Sequence, residues 1–343
     1  MSRIDSGQLE FFEHDEFPCS PSTSCSASRL RTDKVSKGLS AEFPALSLSV
    51  AYDYLFSPVD YLALDDVGRL DLRHEFSALI WRFYNEFGRR FPWRETRATW
   101  PVLLSEVMLQ QTQTARVLPK YEAFLDKWPS WESMASSSLD EVLALWKGLG
   151  YPRRALALRK VAVASERWGW ELPGDYAELL TLPGVGPSTA AAVCAFSYDQ
   201  PAIYLETNIR RVLLHCFFPS QEQVHDRVLR TLLDDLLADV DDVRAWYYAL
   251  MDYGVLLKFL IPNANRRSAH YARQSRFENS NRQLRGLLLL HFSERGALSR
   301  NQLLDELSGF EPERVDACLR SLCSDGFIEE SAEPEPLYRI KKS

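Results

Sequence analysis

The tightest constraint in the chain is a twelve-residue stretch, LPGVGPSTAAAV, running from Leu182 to Val193. Gly184 and Gly186 allow a turn with positive φ and close backbone approach. Pro187 suits a first helical position, and Ser188, Thr189 and the alanines then continue a helix of small residues. A polypeptide that turns this sharply into such a helix presents free backbone N–H groups at the helix start. Those groups can hold a phosphate without any side chain. Leu182, Gly184, Val185, Gly186, Ser188 and Thr189 form one candidate binding segment.

The rest of the chain must supply a core around that turn. With 343 residues, 46% hydrophobic and 25% charged, it has ordinary globular composition and room for two domains. The first seventeen residues, MSRIDSGQLEFFEHDEF, lack a basic region leading into an apolar core, so no signal peptide is expected. No apolar run is long enough to span a membrane, and a soluble cytoplasmic protein is expected. The six cysteines (Cys19, Cys25, Cys194, Cys216, Cys318 and Cys323) are scattered, without Cys-x-x-Cys pairs or zinc spacing. Reduced thiols and no metal follow. The net charge of −7 speaks against a globally basic nucleic-acid binder. Its distribution says more. Lys258, Arg266, Arg267, Arg273, Arg276, Arg282 and Arg285 face only Glu278 within one stretch, which is either a phosphate-binding stripe or a solvated linker.

Three segments emerge. Residues 1–70, with the Ser-rich SPSTSCSAS, read as a largely disordered arm. Within it, Gln8, Leu9, Phe11 and Phe12 resemble the Gln-Leu-x-Leu-Phe peptides that dock bacterial proteins on the replication sliding clamp. Residues 71–276 carry helical periodicity broken by short Gly and Pro turns, with almost no alternating strand, and predict an all-α domain. Residues 277–343 follow as basic linker and three short helices, with FIEE and LYRI flanking a turn. This predicts a winged-helix module that binds either DNA or protein.

Two glutamates invite chemistry. Glu106 sits among Leu103, Leu104, Val107, Met108 and Leu109, surroundings that disfavour the ionised form and let a carboxyl hold a proton for delivery. A surface glutamate between two apolar faces is the plain alternative. The amides that follow, Gln110, Gln111 and Gln113, suit entry into a base stack and bonding to base edges. Glu206 opens the apparent helix of NIRRVLL, beside Asn208 and Arg210, where free N–H groups and the helix dipole favour the charged form. It is a helix cap, a catalytic group, or both. Carboxyls pushed apart in this way suit a mechanism in which one protonates a leaving group and the other stabilises a sugar cation.

Residues 74–275 resemble the helix-hairpin-helix (HhH-GPD) DNA glycosylases, specifically their adenine-glycosylase, MutY-type branch. The segments FPWR, LSEVMLQQTQ, LDEVLALWKGLGYPRRALAL, LPGVGPSTAAAV, NIRRVL and ALMDYG occur in the family's order and spacing. The resemblance implies Glu106 as the acid that protonates adenine, Gln111 and Tyr151 as wedges at the vacated base, and Trp93 and Arg94 near the flipped base. It implies Gly184 and Gly186 as the phosphate-gripping hairpin and Asn208 as an amide beside the catalytic acid. The partner is then duplex DNA with a mismatched base, bound by a monomer in base excision repair at the bacterial nucleoid.

Four departures qualify the resemblance. The family's catalytic Asp is Glu206 here, whose extra methylene moves the carboxylate by about 1.5 Å; a pocket rebuilt around the longer side chain is expected. Where lyase-active relatives carry a nucleophilic Lys there is Ser188, which implies a monofunctional enzyme. The cysteines that hold a four-iron–four-sulfur cluster after MDYG are missing, so no cofactor is expected and the basic stripe, including Arg266 and Arg267, stands in their place. The winged-helix candidate replaces the domain that recognises 8-oxoguanine. Adenine opposite G or 8-oxoguanine is the expected target; a thymine or uracil mismatch glycosylase and a non-catalytic damage-binding adaptor are the alternatives.

Overall fold

The structure, a computed structural model, describes residues 25–272, 276–333 and 335–341. Gln8–Phe12, the expected clamp peptide, lies outside the described residues. These residues divide into two units, one ending at Arg89 and resumed over Leu205–Tyr271, the other covering Arg90–Tyr204 and the chain from Ala272 onward. Residues 71–276, expected as one all-α domain, contribute to both units. Among the described residues no helix is long and apolar enough to cross a membrane.

In the first unit the principal helices are Cys25–Glu42, Asp66–Phe87, Thr207–Phe217, Asp226–Leu237 and Val243–Leu260. Aromatic side chains fill the space among them, with Phe76 and Phe217 centred 4.8 Å apart and Phe43, Phe83, Trp246 and Tyr253 buried. The Tyr253 hydroxyl accepts from Phe56 N at 3.0 Å and donates to Tyr54 O at 2.9 Å. A buried phenol thus satisfies backbone groups that would otherwise be orphaned. Part of the stretch expected as an arm over 1–70 belongs to this core. Leu39, Phe43, Leu46, Ala51, Tyr54 and Phe56 are all buried in this unit. They are distributed over short elements among polar residues, so no single helical or strand period reveals them.

The second unit holds helices Thr99–Leu109, Thr114–Lys127, Leu139–Trp146, Arg153–Ala164 and Pro187–Tyr198, with the C-terminal helices Asn281–Arg295, Arg300–Glu306 and Pro312–Ser324. Small residues let Pro187–Tyr198 bury every position from Thr189 to Ser197, packed against Thr99–Leu109. Ser138 and Glu141 close a reciprocal capping box at the start of Leu139–Trp146. The C-terminal module has the expected three helices, and its sheet has three strands where two were expected. Leu298–Ser299 joins Ile328–Glu330 and Leu337–Ile340 in the order first, third, second.

This module is not a separately cored appendage. Leu284, Leu288, Phe292, Leu319, Leu322 and Phe327 belong to one continuous apolar cluster with Trp146, Leu149 and Leu156. The boundary expected at 277 falls inside a shared core. Asp325 adds a polar tie, accepting from Arg153 Nη2 at 2.7 Å and Arg285 Nη2 at 2.6 Å.

Candidate active site and nucleic-acid interface

Glu106 lies on helix Thr99–Leu109, whose other residues from Val102 to Met108 are buried while Glu106 keeps partial exposure. Its Oε2 accepts a hydrogen bond from the Tyr204 hydroxyl at 2.9 Å. Tyr204 is 6% exposed and set edge-on against Phe196, so a rigid phenol fixes where the carboxyl points. Sequence reasoning passed over Tyr204, although it stands two residues before Glu206 in the same motif.

Beyond Glu106 the chain leaves the helix with Gln111 at φ 55°, and a second loop holds Tyr151 at φ 48°. Two bulky residues in this region carry backbone strain that the surroundings must support. Arg154 supplies that support. Its Nη1 donates to the carbonyls of Val107, Met108 and Gln110 at 2.7, 3.0 and 2.6 Å. Its Nη2 donates to Thr112 Oγ1 at 3.1 Å and to the carbonyls of Leu149 and Gly150 at 2.9 and 3.0 Å. One guanidinium therefore binds the Gln111 loop to the Tyr151 loop. Burial lowers its pKa to about 10, which leaves it charged at neutral pH. Sequence gave Arg154 no role, because its acceptors are backbone carbonyls that carry no sequence signature.

The hairpin is built as expected at Gly184 and differently at Gly186. Gly184 has φ 76°, and a Cβ there would meet the Ala157 Cβ at 2.5 Å, so only glycine fits. Gly186 has φ −94° and open space where a Cβ would go, so positive φ is not its reason. It is the N-cap of Pro187–Tyr198, with no side chain capping the helix start. Leu182 and Val185 are buried anchors, Ser188 is half-buried, and Thr189 Oγ1 accepts from Gln110 Nε2 at 3.4 Å.

In the first unit Glu206 is the N-cap of Thr207–Phe217. Its Oε1 accepts from the amides of Asn208 and Ile209 at 2.7 and 2.9 Å, and its Oε2 accepts from Asn208 Nδ2 at 3.2 Å. Asn208 Oδ1 in turn accepts from Arg211 Nη1 at 2.9 Å, and the same nitrogen donates to Gly254 O at 2.7 Å. At Gly254 a Cβ would approach Asn208 O to 2.5 Å, which explains the glycine of MDYG as a close crossing of two helices. The expected effect of the helix start on Glu206 is present but outweighed. Part of the residue meets solvent, but its carboxyl is enclosed by protein, and this burial raises its pKa above the ordinary glutamate value. The Asn208 and Ile209 amides and the charges of Arg211 and Arg210 oppose that rise without cancelling it.

Several candidate contacts are committed elsewhere. Arg210 pairs with Asp226 through Nε at 3.1 Å and Nη2 at 2.7 Å. Arg267 donates to Pro219 O at 2.8 Å and Leu214 O at 2.7 Å, closing carbonyls at the end of Thr207–Phe217. Two of the arginines expected to contact DNA are thus engaged internally, and Arg266 lies at an exposed position. Trp93, expected at the flipped base, is 4% exposed, stacked on Phe91 at 4.9 Å and edge-on to Tyr121. Its neighbour Arg94 is half-buried with its guanidinium 5.2 Å from the Phe91 ring. Among the described residues no group of three or more His, Cys, Asp or Glu side chains is placed to hold a metal ion. In the stretch after MDYG the chain carries arginines and asparagines instead of thiols; Asn265 donates to Thr207 O at 3.2 Å there. These donors do not fit an iron–sulfur cluster.

A glycine hairpin with an uncapped helix start, strained amide and tyrosine loops, and a glutamate–asparagine cap define a helix-hairpin-helix DNA N-glycosylase, a hydrolase of base excision repair. The chain belongs to the HhH-GPD superfamily of base excision DNA repair proteins, whose model matches residues 104–236. It is similar to an adenine DNA glycosylase of Mycolicibacterium smegmatis, 32% identical over 273 residues that make up 73% of this chain and 92% of the relative. An adenine DNA glycosylase of Mycobacterium tuberculosis is 41% identical over 143 residues, 41% of this chain and 47% of that protein. The chain spans 54% of an adenine DNA glycosylase of Buchnera aphidicola, at 31% identity over 188 residues or 53% of this chain. A solved thermostable thymine-DNA glycosylase aligns with a TM-score of 0.49 at 26% identity, covering 55% of this chain and 88% of that one.

Proposed function

We propose that this chain is a monofunctional adenine DNA glycosylase, acting on adenine opposite guanine or 8-oxoguanine in duplex DNA without a cluster or other cofactor. The observation that carries the reading is the pair of glutamates, each oriented by a neighbour: Glu106 by the Tyr204 hydroxyl, Glu206 by Asn208. Glu106 protonates a ring nitrogen of the flipped base, and the bond from C1′ to the base breaks with its electrons leaving on the base. Glu206, ionised, stabilises the sugar cation and takes the proton of the water that adds to C1′. Free base and an abasic sugar result, and the strand remains uncut because Ser188 offers no amine for a Schiff base.

The M. smegmatis relative's name supports adenine as the base. In this reading the backbone amides at the start of Pro187–Tyr198 hold a phosphate while Gln111 and Tyr151 enter the duplex. The enzyme works as a monomer on cytoplasmic, nucleoid-associated DNA. The test is a panel of duplexes containing A·8-oxoguanine, A·G, T·G and U·G, with products read before and after alkali. Adenine release with alkali-dependent strand breaks is expected. Excision confined to T·G or U·G overturns the adenine assignment, and breaks without alkali overturn the monofunctional one.

A further inference from the structure

The C-terminal module reaches Tyr151. Arg282, the second residue of helix Asn281–Arg295, donates from Nη1 to the Tyr151 hydroxyl at 2.5 Å. Its guanidinium lies 5.3 Å from the centre of the Tyr151 ring and 5.3 Å from that of Phe277. Three planar groups thus stand side by side, two from the module and one from the strained loop. Phe277 is 54% exposed. Arg276 beside it is also exposed. The basic stretch therefore carries an exposed aromatic ring, Phe277, against the half-buried guanidinium of Arg282.

An exposed aromatic ring next to a guanidinium plane is the surface on which an unstacked nucleobase rests, by stacking and by cation–π attraction. Any enzyme that extrudes one base of a pair leaves the other without its partner. We infer that Phe277 and Arg282 form a stacking site for the unpaired nucleobase that remains in the duplex, so that the C-terminal module takes part in DNA recognition. Arg282 has a double use: it bonds the Tyr151 hydroxyl and extends the stacking plane from Tyr151 to Phe277. The inference deepens the glycosylase reading and rests on it for the origin of the unpaired base.

The experiment measures binding of the full chain, at one fixed salt concentration, to two labelled duplexes. One carries a tetrahydrofuran abasic analogue opposite a normal base, which leaves that base unpaired; the other is fully paired. The wild type should prefer the first. Phe277→Ala should weaken binding to the first about tenfold, the loss of one base–aromatic stack, and leave the second unchanged. Phe277→Trp should keep the preference, and Arg282→Gln should reduce it. With 2-aminopurine as the unpaired base, quenching on binding should occur with wild type and vanish with Phe277→Ala. Because Phe277 is exposed, its truncation should leave the thermal midpoint unchanged.

Equal losses on both duplexes, or none on either, overturn the inference. Absence of excision by the wild type on every mismatch would defeat the glycosylase reading, while the binding preference would still decide the stacking site.

Discussion

Glu106 and Glu206 solve the same problem, placing a carboxyl, by opposite means. Glu106 stands in the last turn of its helix, away from the free amides of the helix start, and a side-chain hydroxyl from Tyr204 orients it. Glu206 stands at a helix start, where unsatisfied amides do the orienting and a single asparagine completes the set. The contrast teaches that position in a helix does not determine charge state. Burial of the Glu206 carboxyl outweighs the amides and arginines that favour its ionised form, so the group that must carry charge in the proposed mechanism is held above the ordinary glutamate value by its own surroundings.

The largest test of this contrast is Glu106→Gln. Excision should fall by about a thousandfold, the range of a lost general acid, while duplex affinity persists; unaltered excision would remove Glu106 from its role. Glu206→Asp comes next. The three contacts of its carboxyl are made at glutamate length, so single-turnover excision should drop about a hundredfold. A faster Asp variant would instead mean that the site is degraded from an aspartate design. For Arg154→Lys, an ammonium cannot reach six acceptors in two loops. Duplex affinity should weaken roughly tenfold, the scale of a lost charged hydrogen bond, with a lower thermal midpoint; wild-type affinity would show that the loops hold their shape unaided. Tyr204→Phe removes one hydrogen bond and should slow excision about three- to tenfold, against no change if the hydroxyl only fills space.

The smallest effect concerns His215, on the helix that Glu206 caps. Burial, aided by the Arg267 charge, lowers its pKa to about 4, against about 6.5 when unfolded. A depressed histidine stabilises the fold fully above the unfolded value, and the contribution is lost as pH falls toward 4. Denaturant midpoints should therefore decline between pH 6.5 and 4, and His215→Gln should flatten that part of the profile. A variant with the same slope as wild type would assign the decline to other groups.

Features whose cause is local were legible in sequence: the Gly184 turn, the alanine helix, the Glu206 cap and the apolar setting of Glu106. Each announces itself through residues within four positions of itself. What escaped depends on distant partners. Arg210 and Arg267 read as free cations in a basic stretch, yet Asp226 and the carbonyls of Leu214 and Pro219 occupy them. Trp93 read as a pocket residue because a family motif places it there, and its burial depends on Phe91 and Tyr121. Leu39, Phe43 and Leu46 were assigned to an arm because a polar background masks apolar residues whose packing partners come from other parts of the chain.

Gly254 carries a consequence that reaches past packing. Its carbonyl holds Arg211, Arg211 holds Asn208, and Asn208 holds Glu206, while its missing side chain sets how near the two helices come. In the proposed mechanism the distance between two helix axes is thereby a kinetic variable. An added methyl at this position would be expressed first as a misaimed carboxylate, in a protein that could still fold, remain soluble and bind its substrate.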